Sequence, residues 1–288
     1  MRFIRVVTQL IKNLIRRYFE HEVGQSGGSI AYFSLLTVFP FIIYTNKLLT
    51  YINVSEARFI SFISSLLPPE IAEFLDIYIA DIAVSHTPGI LFVSIFATFY
   101  STSRVVRSFE HSINRAYGIT DRRGFLSGIA TSFLFTVCLV ITVIASIILT
   151  TVGENLVMYV LSFRNIPLPS LRWIIFFKWI FTGIIMFLAI SSFYYYMPRE
   201  KVRYKSILPG TVTSIIGLSG FSVIFNIYIR FAAGFSVIYS SIGAVFLLVF
   251  WLYFAGVILV MGAEINCAFN EIKSLRQNER KKLSGKTS

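Results

Sequence analysis

Six apolar stretches nearly free of charge dominate this sequence: Ser29 to Ile52, Gly89 to Ser103, Leu126 to Val152, Trp173 to Met197, Ile207 to Tyr228 and Ser240 to Asn266. A hydrocarbon core about 30 Å thick takes about 20 such residues in a helix. Within lipid the backbone must satisfy its own hydrogen bonds, which leaves helices as the economical way to cross. The expected fold class is therefore all-α: a polytopic membrane protein built as a six-transmembrane-helix bundle. Composition agrees, because 56% of the 288 residues are hydrophobic and 14% are charged, against about 25% charged in ordinary globular domains.

The formal charge of +12 raises the question of a nucleic-acid partner, and the placement of the bases answers it. Arg2, Arg5, Lys12, Arg16 and Arg17 precede the first stretch, and the next connection holds only Arg58 among Glu56, Glu70, Glu73, Asp76 and Asp81. Bases return at Arg104, Arg107, Arg115, Arg122 and Arg123, thin out to Arg164 and Arg172, and return at Arg199, Lys201, Arg203 and Lys205. Arg230 stands alone, and the tail closes with Lys273, Arg276, Arg280, Lys281, Lys282 and Lys286. Alternate segments thus hold 20 of the 26 Lys and Arg residues. Positive-inside bias expects both termini in the cytoplasm of a multi-pass plasma-membrane protein. The charge then attracts anionic lipid head groups at the cytoplasmic face and calls for no nucleic acid.

Three regions follow from the pattern. Residues 1–23 form an amphipathic interfacial helix, with Phe3, Val6, Val7, Leu10, Leu14, Ile15 and Tyr18 on one side and Arg2, Arg5, Gln9, Lys12, Arg16 and Glu20 on the other. Those charges also interrupt any apolar core of a cleaved leader. Residues 24–270 are the membrane domain, entered through a turn at Gly24, Gly27 and Gly28, and residues 271–288 are a basic cytoplasmic tail. The first external connection, Ser55 to Val84, reads as two short amphipathic helices broken at Pro68 and Pro69. Arg104 to Tyr117 continues the second span as a helix that stops at Gly118.

Catalytic chemistry has little to stand on. His21, His86 and His111 share no metal-ligand spacing, and no HExxH, CxxC, GxSxG or phosphate-loop motif occurs, so no metal, no cofactor and no enzymatic activity are expected. Cys138 and Cys267 sit far apart in apolar segments and read as free, buried thiols. What remains is polar groups at membrane depth, which are costly and call for partners. Lys47, beside Asn46, and Lys178 lie toward the outer ends of the first and fourth spans, where snorkelling to the head groups and contact with a substrate are both open. Glu264 lies near the inner end of the sixth, placed to pair with a cytoplasmic-side arginine, to cap a neighbouring helix or to relay protons, with the structural pair favoured over the relay. Arg104 and Arg107, three apart on one helix face, either hold a phosphate head group or mark the inner boundary. The short second span, Pro40 and Pro209 are breaks of the kind that line transporter sites and also of the kind that only kink a helix. Gly210, Ser214, Gly217 and Gly220, like Gly243, Ala244, Gly256 and Gly262, provide small faces for close helix packing.

Four blocks carry a family resemblance: GGSIAYFSLLTVFPFII from Gly27, SINRAYG from Ser112, YYMPREKVRYKSILPG from Tyr195 and YSSIGAVFLLVFWLYFAGVILVMGAEIN from Tyr239. From about Gly24 to Asn270 the chain resembles the YihY/virulence factor BrkB family of bacterial inner-membrane proteins. The resemblance implies a six-helix bundle and a role in envelope integrity or in moving lipids and other amphiphiles. The ribonuclease label once given to members finds no catalytic constellation among these residues. Two functional readings follow: a transporter or flippase for an anionic amphiphile, with Lys47, Arg104, Arg107, Lys178 and Glu264 as substrate contacts, or a non-transporting membrane scaffold. No sequence feature specifies an oligomeric state. The topology has a direct check: cysteines placed at Ser61 or Asn165 are expected to react with an impermeant thiol reagent added outside, and those at Ser206 or Ser284 to stay unlabelled.

Overall fold

The computed structural model describes residues 2–51, 88–119, 133, 137, 169–232 and 240–284. Within them the chain forms six helices: α1 (Arg2–Glu20), α2 (Val23–Tyr51), α3 (Pro88–Ala116), α4 (Pro169–Tyr196), α5 (Tyr204–Ala232) and α6 (Ser240–Ser284). The third expected span, apart from Phe133 and Val137, and the two helices expected in Ser55 to Val84 lie outside the described residues. Among the described residues three helices are long and apolar enough to cross a membrane, over Val23–Thr45 of α2, Tyr204–Ile229 of α5 and Val245–Glu271 of α6. In α4 the described side chains include the apolar stretch Gly183–Tyr196. The apolar part expected of α3, Gly89 to Ser103, is only about 22 Å long at 1.5 Å per residue, because Arg104 and Arg107 end it.

Local chemistry sets the helix ends. Pro88 and Pro169 stand at the first positions of α3 and α4, where a missing N–H costs nothing. Gly118, at φ 68°, closes α3: its amide donates to the Arg115 carbonyl, and the amide of Ile119 donates to that of Asn114. That double bond pattern is a Schellman stop, as the sequence expects. The entry to α2 differs from expectation. The turn lies at His21 and Glu22, with Glu22 at φ 51°, and Gly24, Gly27 and Gly28 are inside the helix. Those glycines had suggested a turn because glycine relieves backbone strain, but Gly27 instead faces α6, where a Cβ would press on Val257 and Tyr253.

α2 lies between α3 and α6, α5 packs on α6 and α4, and α1 lies across α6. Small residues bring the helices close. Gly210 of α5 meets the Gly262 carbonyl and Asn266 of α6, Gly217 meets Ile258, and Gly256 meets Ile30 of α2. Polar locks sit at the same crossing: the Gly210 amide donates to Asn266 Oδ1 (2.6 Å), and the Tyr194 hydroxyl donates to the Leu259 carbonyl (2.6 Å) while bonding Ser214 (2.7 Å). Around them Ile30, Phe109, Ile113, Met197, Ile207 and Val260 form a buried core. Gly220, expected on the same face, meets nothing within 4 Å. Gly210→Ala is therefore expected to destabilise the detergent-solubilised protein by about 1–3 kcal/mol, the usual cost of overpacking, while Gly220→Ala is expected to raise stability by up to about 1 kcal/mol, because alanine holds a helix interior better than glycine.

Candidate functional site

Glu264 is fully buried, and its carboxylate is shared between two residues of the N-terminal segment. Arg17 Nη1 donates to Oε2 at 3.0 Å, and His21 Nδ1 lies 2.6 Å from Oε1. The second Arg17 nitrogen pairs with Glu271, and Nη1 also reaches the Ala116 carbonyl of α3 at 3.4 Å. Burial alone would lower the pKa of the Arg17 guanidinium, but the hydrogen bonds and charges of Glu264 and Glu271 outweigh it and hold the pKa above its ordinary value. In geometry Glu264 is paired with an arginine of the N-terminal segment, Arg17. Ile11, Ile15 and Phe19 remain exposed along one stripe while Arg17 is 7% exposed, so α1 docks on the bundle through a charge and turns apolar residues outward.

A second lock holds the opposite face of α3. Arg199, in the connection from α4 to α5, donates from Nε to Glu110 Oε1 at 3.0 Å, and its amide donates to Asn114 Oδ1 at 3.0 Å. Neither Glu110 nor Arg199 was singled out by sequence. The available signal was that Glu110 is the sole acid between Arg104 and Tyr117.

Between these locks α2 and α3 enclose an open groove of about 320 Å³. Arg104, Arg107, His111 and Arg115 line it from α3; Gln25, Ser26, Ser29 and Phe33 line it from α2, and Glu22 from the turn before it. The two arginines expected to act together, Arg104 and Arg107, do share this site. The Arg104 guanidinium lies over the Phe33 ring, 5.0 Å from its centre, so it stands level with a residue about 15 Å into the span that begins at Val23. Arg115 closes the other end, donating to Glu22 Oε2 at 2.6 Å and to the His21 carbonyl at 3.0 Å. On the side away from Arg115 the same stripe of α3 turns aromatic, with Phe96 and Tyr100 exposed. Lys47 lies near the far end of α2, about 33 Å along the helix from Gln25, and Lys178 lies in α4; their side chains are outside the described residues. Glu264 belongs to the ionic cluster and not to the groove wall.

The cluster has a measurable asymmetry. Arg17→Met leaves a fully buried carboxylate with His21 alone, whereas Glu264→Leu leaves Arg17 with Glu271 and the Ala116 carbonyl. Breaking a buried pair costs about 3–5 kcal/mol. Arg17→Met is expected at the top of that range and Glu264→Leu below it, with the double variant costing less than the sum, all read from unfolding in detergent.

The sequence profile of the family described as virulence factor BrkB matches residues 14–286. Among curated relatives, the chain is 26% identical over 265 residues to the putative ribonuclease-like protein YfkH of Bacillus subtilis (strain 168), covering 92% of this chain and 96% of that one. It is 25% identical to the UPF0761 membrane protein Cphamn1_1013 of Chlorobium phaeobacteroides (strain BS1), covering 93% of this chain and 62% of that longer one. It is 22% identical to the UPF0761 membrane protein VP0125 of Vibrio parahaemolyticus serotype O3:K6 (strain RIMD 2210633), with 90% and 82% covered. No solved structure matches. A profile that spans nearly the whole chain, on helices apolar and long enough to cross a membrane, makes this a membrane protein of the virulence factor BrkB family.

Proposed function

We propose that the protein moves an amphiphile with an anionic head group, such as a membrane lipid, between the two faces of the bacterial cytoplasmic membrane, with its termini in the cytoplasm. The observation that carries this reading is the α2–α3 groove. It begins at the basic end of the bundle and reaches, at Arg104 and Phe33, about 15 Å into a span. Its volume of about 320 Å³ falls within the 300–1,000 Å³ usual for small-molecule sites. Guanidiniums suit phosphate and carboxylate oxygens because they present several donors in a fixed plane. The exposed Phe96 and Tyr100 continue the groove wall with an apolar surface suited to hydrocarbon.

The same geometry favours carriage over hydrolysis. Two acids near the groove are held by cations within the bundle, Glu110 by Arg199 and Glu264 by Arg17, while the more exposed Glu22 pairs with Arg115. A carboxylate engaged in this way is poorly placed to serve as a general base or a metal ligand. The test is reconstitution in liposomes with fluorescent phosphatidylglycerol in one leaflet. Wild type is expected to equilibrate the label, and Arg104→Gln with Arg107→Gln to slow it by about tenfold or more, the scale of a lost charge-assisted hydrogen bond. Both should accumulate normally, and the same wild-type preparation should leave labelled RNA intact with Mg²⁺ present. Scrambling at the protein-free rate would overturn the reading.

A further inference from the structure

Arg115 faces the groove but is already engaged by an anion of the chain itself. Glu22 reaches it at 2.6 Å, and the His21 carbonyl accepts a second bond from the same guanidinium at 3.0 Å. Both acceptors sit on the two-residue turn between α1 and α2, where Glu22 holds φ 51°, a conformation that side-chain-bearing residues adopt at a cost. The Glu22 side chain is 48% exposed and that of Arg115 35%, so water and solutes reach the pair. Exposed ion pairs contribute little and exchange readily. The turn is also joined to the opposite helix, because His21 Nδ1 contacts Glu264 of α6.

We propose that Glu22 is a tethered competitor: a phosphate-bearing ligand enters the groove by displacing the Glu22 carboxylate from Arg115. This rests on the reading of the groove as a head-group site and names the ligand chemistry and the gate. A phosphomonoester carries close to two negative charges and several acceptor oxygens. Arg104, Arg107 and Arg115 supply cationic donors along one helix face, and Ser26 and Ser29 supply hydroxyls from the other wall. A lone carboxylate has two oxygens and one charge, which is what Glu22 already offers to one of the three arginines. Displacement removes the side-chain half of Arg115's hold on the turn and leaves the His21 carbonyl bond alone to fasten it, so occupancy of the groove loosens the chain that carries His21 and, four residues before it, Arg17. The ligand thereby acts on the contacts that fasten α1 to α6.

The experiment uses the full chain in dodecyl maltoside, titrated separately with inorganic phosphate, dioctanoyl phosphatidic acid and dioctanoylglycerol. Phosphatidic acid is expected to bind and dioctanoylglycerol not to bind. Glu22→Gln is expected to bind phosphatidic acid roughly 2- to 5-fold tighter, the equivalent of removing an exposed ion pair. Binding of inorganic phosphate with the same gain in Glu22→Gln would support the site and assign it to a free phosphate. Hydrogen exchange on the wild type needs no variant: amides from Arg17 to Ser26 should exchange faster at saturating ligand. Unchanged or weaker binding by a normally folded Glu22→Gln, or turn amides that stay protected at saturation, overturns the proposal, as does equal binding of dioctanoylglycerol. If lipid binding nevertheless still depends on Arg104 and Arg107, the head-group reading stands and only the displacement fails; if that dependence is missing, the head-group reading fails with it.

Discussion

The contact on which this architecture depends joins residues 247 positions apart, Arg17 near the start of the chain and Glu264 near the end of its last span. A carboxylate without solvent exposure is tolerable only with partners, and both of its partners come from the short segment that leads into α2. Glu264 therefore defines where the N-terminal helix sits. Once Arg17 is in place, its second bond to the Ala116 carbonyl brings the end of α3 to the same point. Three helices distant in sequence are thereby joined at the basic end of the bundle, where hydrophobic burial cannot favour association because lipid is as apolar as the side chains.

α3 is the element on which both the locks and the groove converge. One face carries Glu110 and Asn114, which hold Arg199 and so anchor the connection from α4 to α5. Its buried Ser94, Thr98, Ser101 and Thr102 allow close approach, with Thr98 satisfying itself on the Ser94 carbonyl at 2.6 Å. The remaining face carries the arginines of the groove. Immobilising one side of a helix while the other faces an open cleft is how a site keeps its cations at set spacing without burying them. The same arrangement puts any movement of α3 in register with the α1–α2 turn and with the α4–α5 connection, since each is bonded to it directly.

Much of this could be read from residues alone, and the exceptions have physical causes. The continuation of α3 through Arg104 and its stop at Gly118 followed from helical periodicity and from the need for a left-handed residue at the cap. The pairing of Arg104 with Arg107 followed from an i, i+3 spacing. The chemistry of the Glu264 partner was legible, since an acid at that depth requires a cation, but which arginine was not, because nothing local relates residue 17 to residue 264. The α1–α2 turn was misplaced for a related reason. A non-glycine residue at positive φ is held there by tertiary contacts, here Arg115 on Glu22, and no local rule anticipates it. The nearby glycines were the expected turn formers, yet Gly27 and Gly256 serve the α2–α6 approach. Lys47 and Lys178 remain sequence-level candidates for the outer side of the membrane.

The short apolar length of α3 bears on the proposed movement of amphiphiles. Read as the second expected span, Gly89 to Ser103 would cover about 22 Å of a hydrocarbon core about 30 Å thick, a mismatch of about 8 Å. A bilayer meeting such a helix thins locally or admits head groups and water along it. On the reading proposed here, that deformation falls at the end of the apolar stretch of α3, where Arg104 stands over Phe33, so lipid head groups and the groove approach each other from both sides. The feature that keeps α3 from qualifying as an ordinary span, a cationic turn where apolar residues would complete the crossing, is then the feature that brings an anionic head group to the site. Replacing those arginines with leucines would lengthen the apolar stretch and remove the groove's charge together, so in this helix membrane fit and head-group capture draw on the same residues.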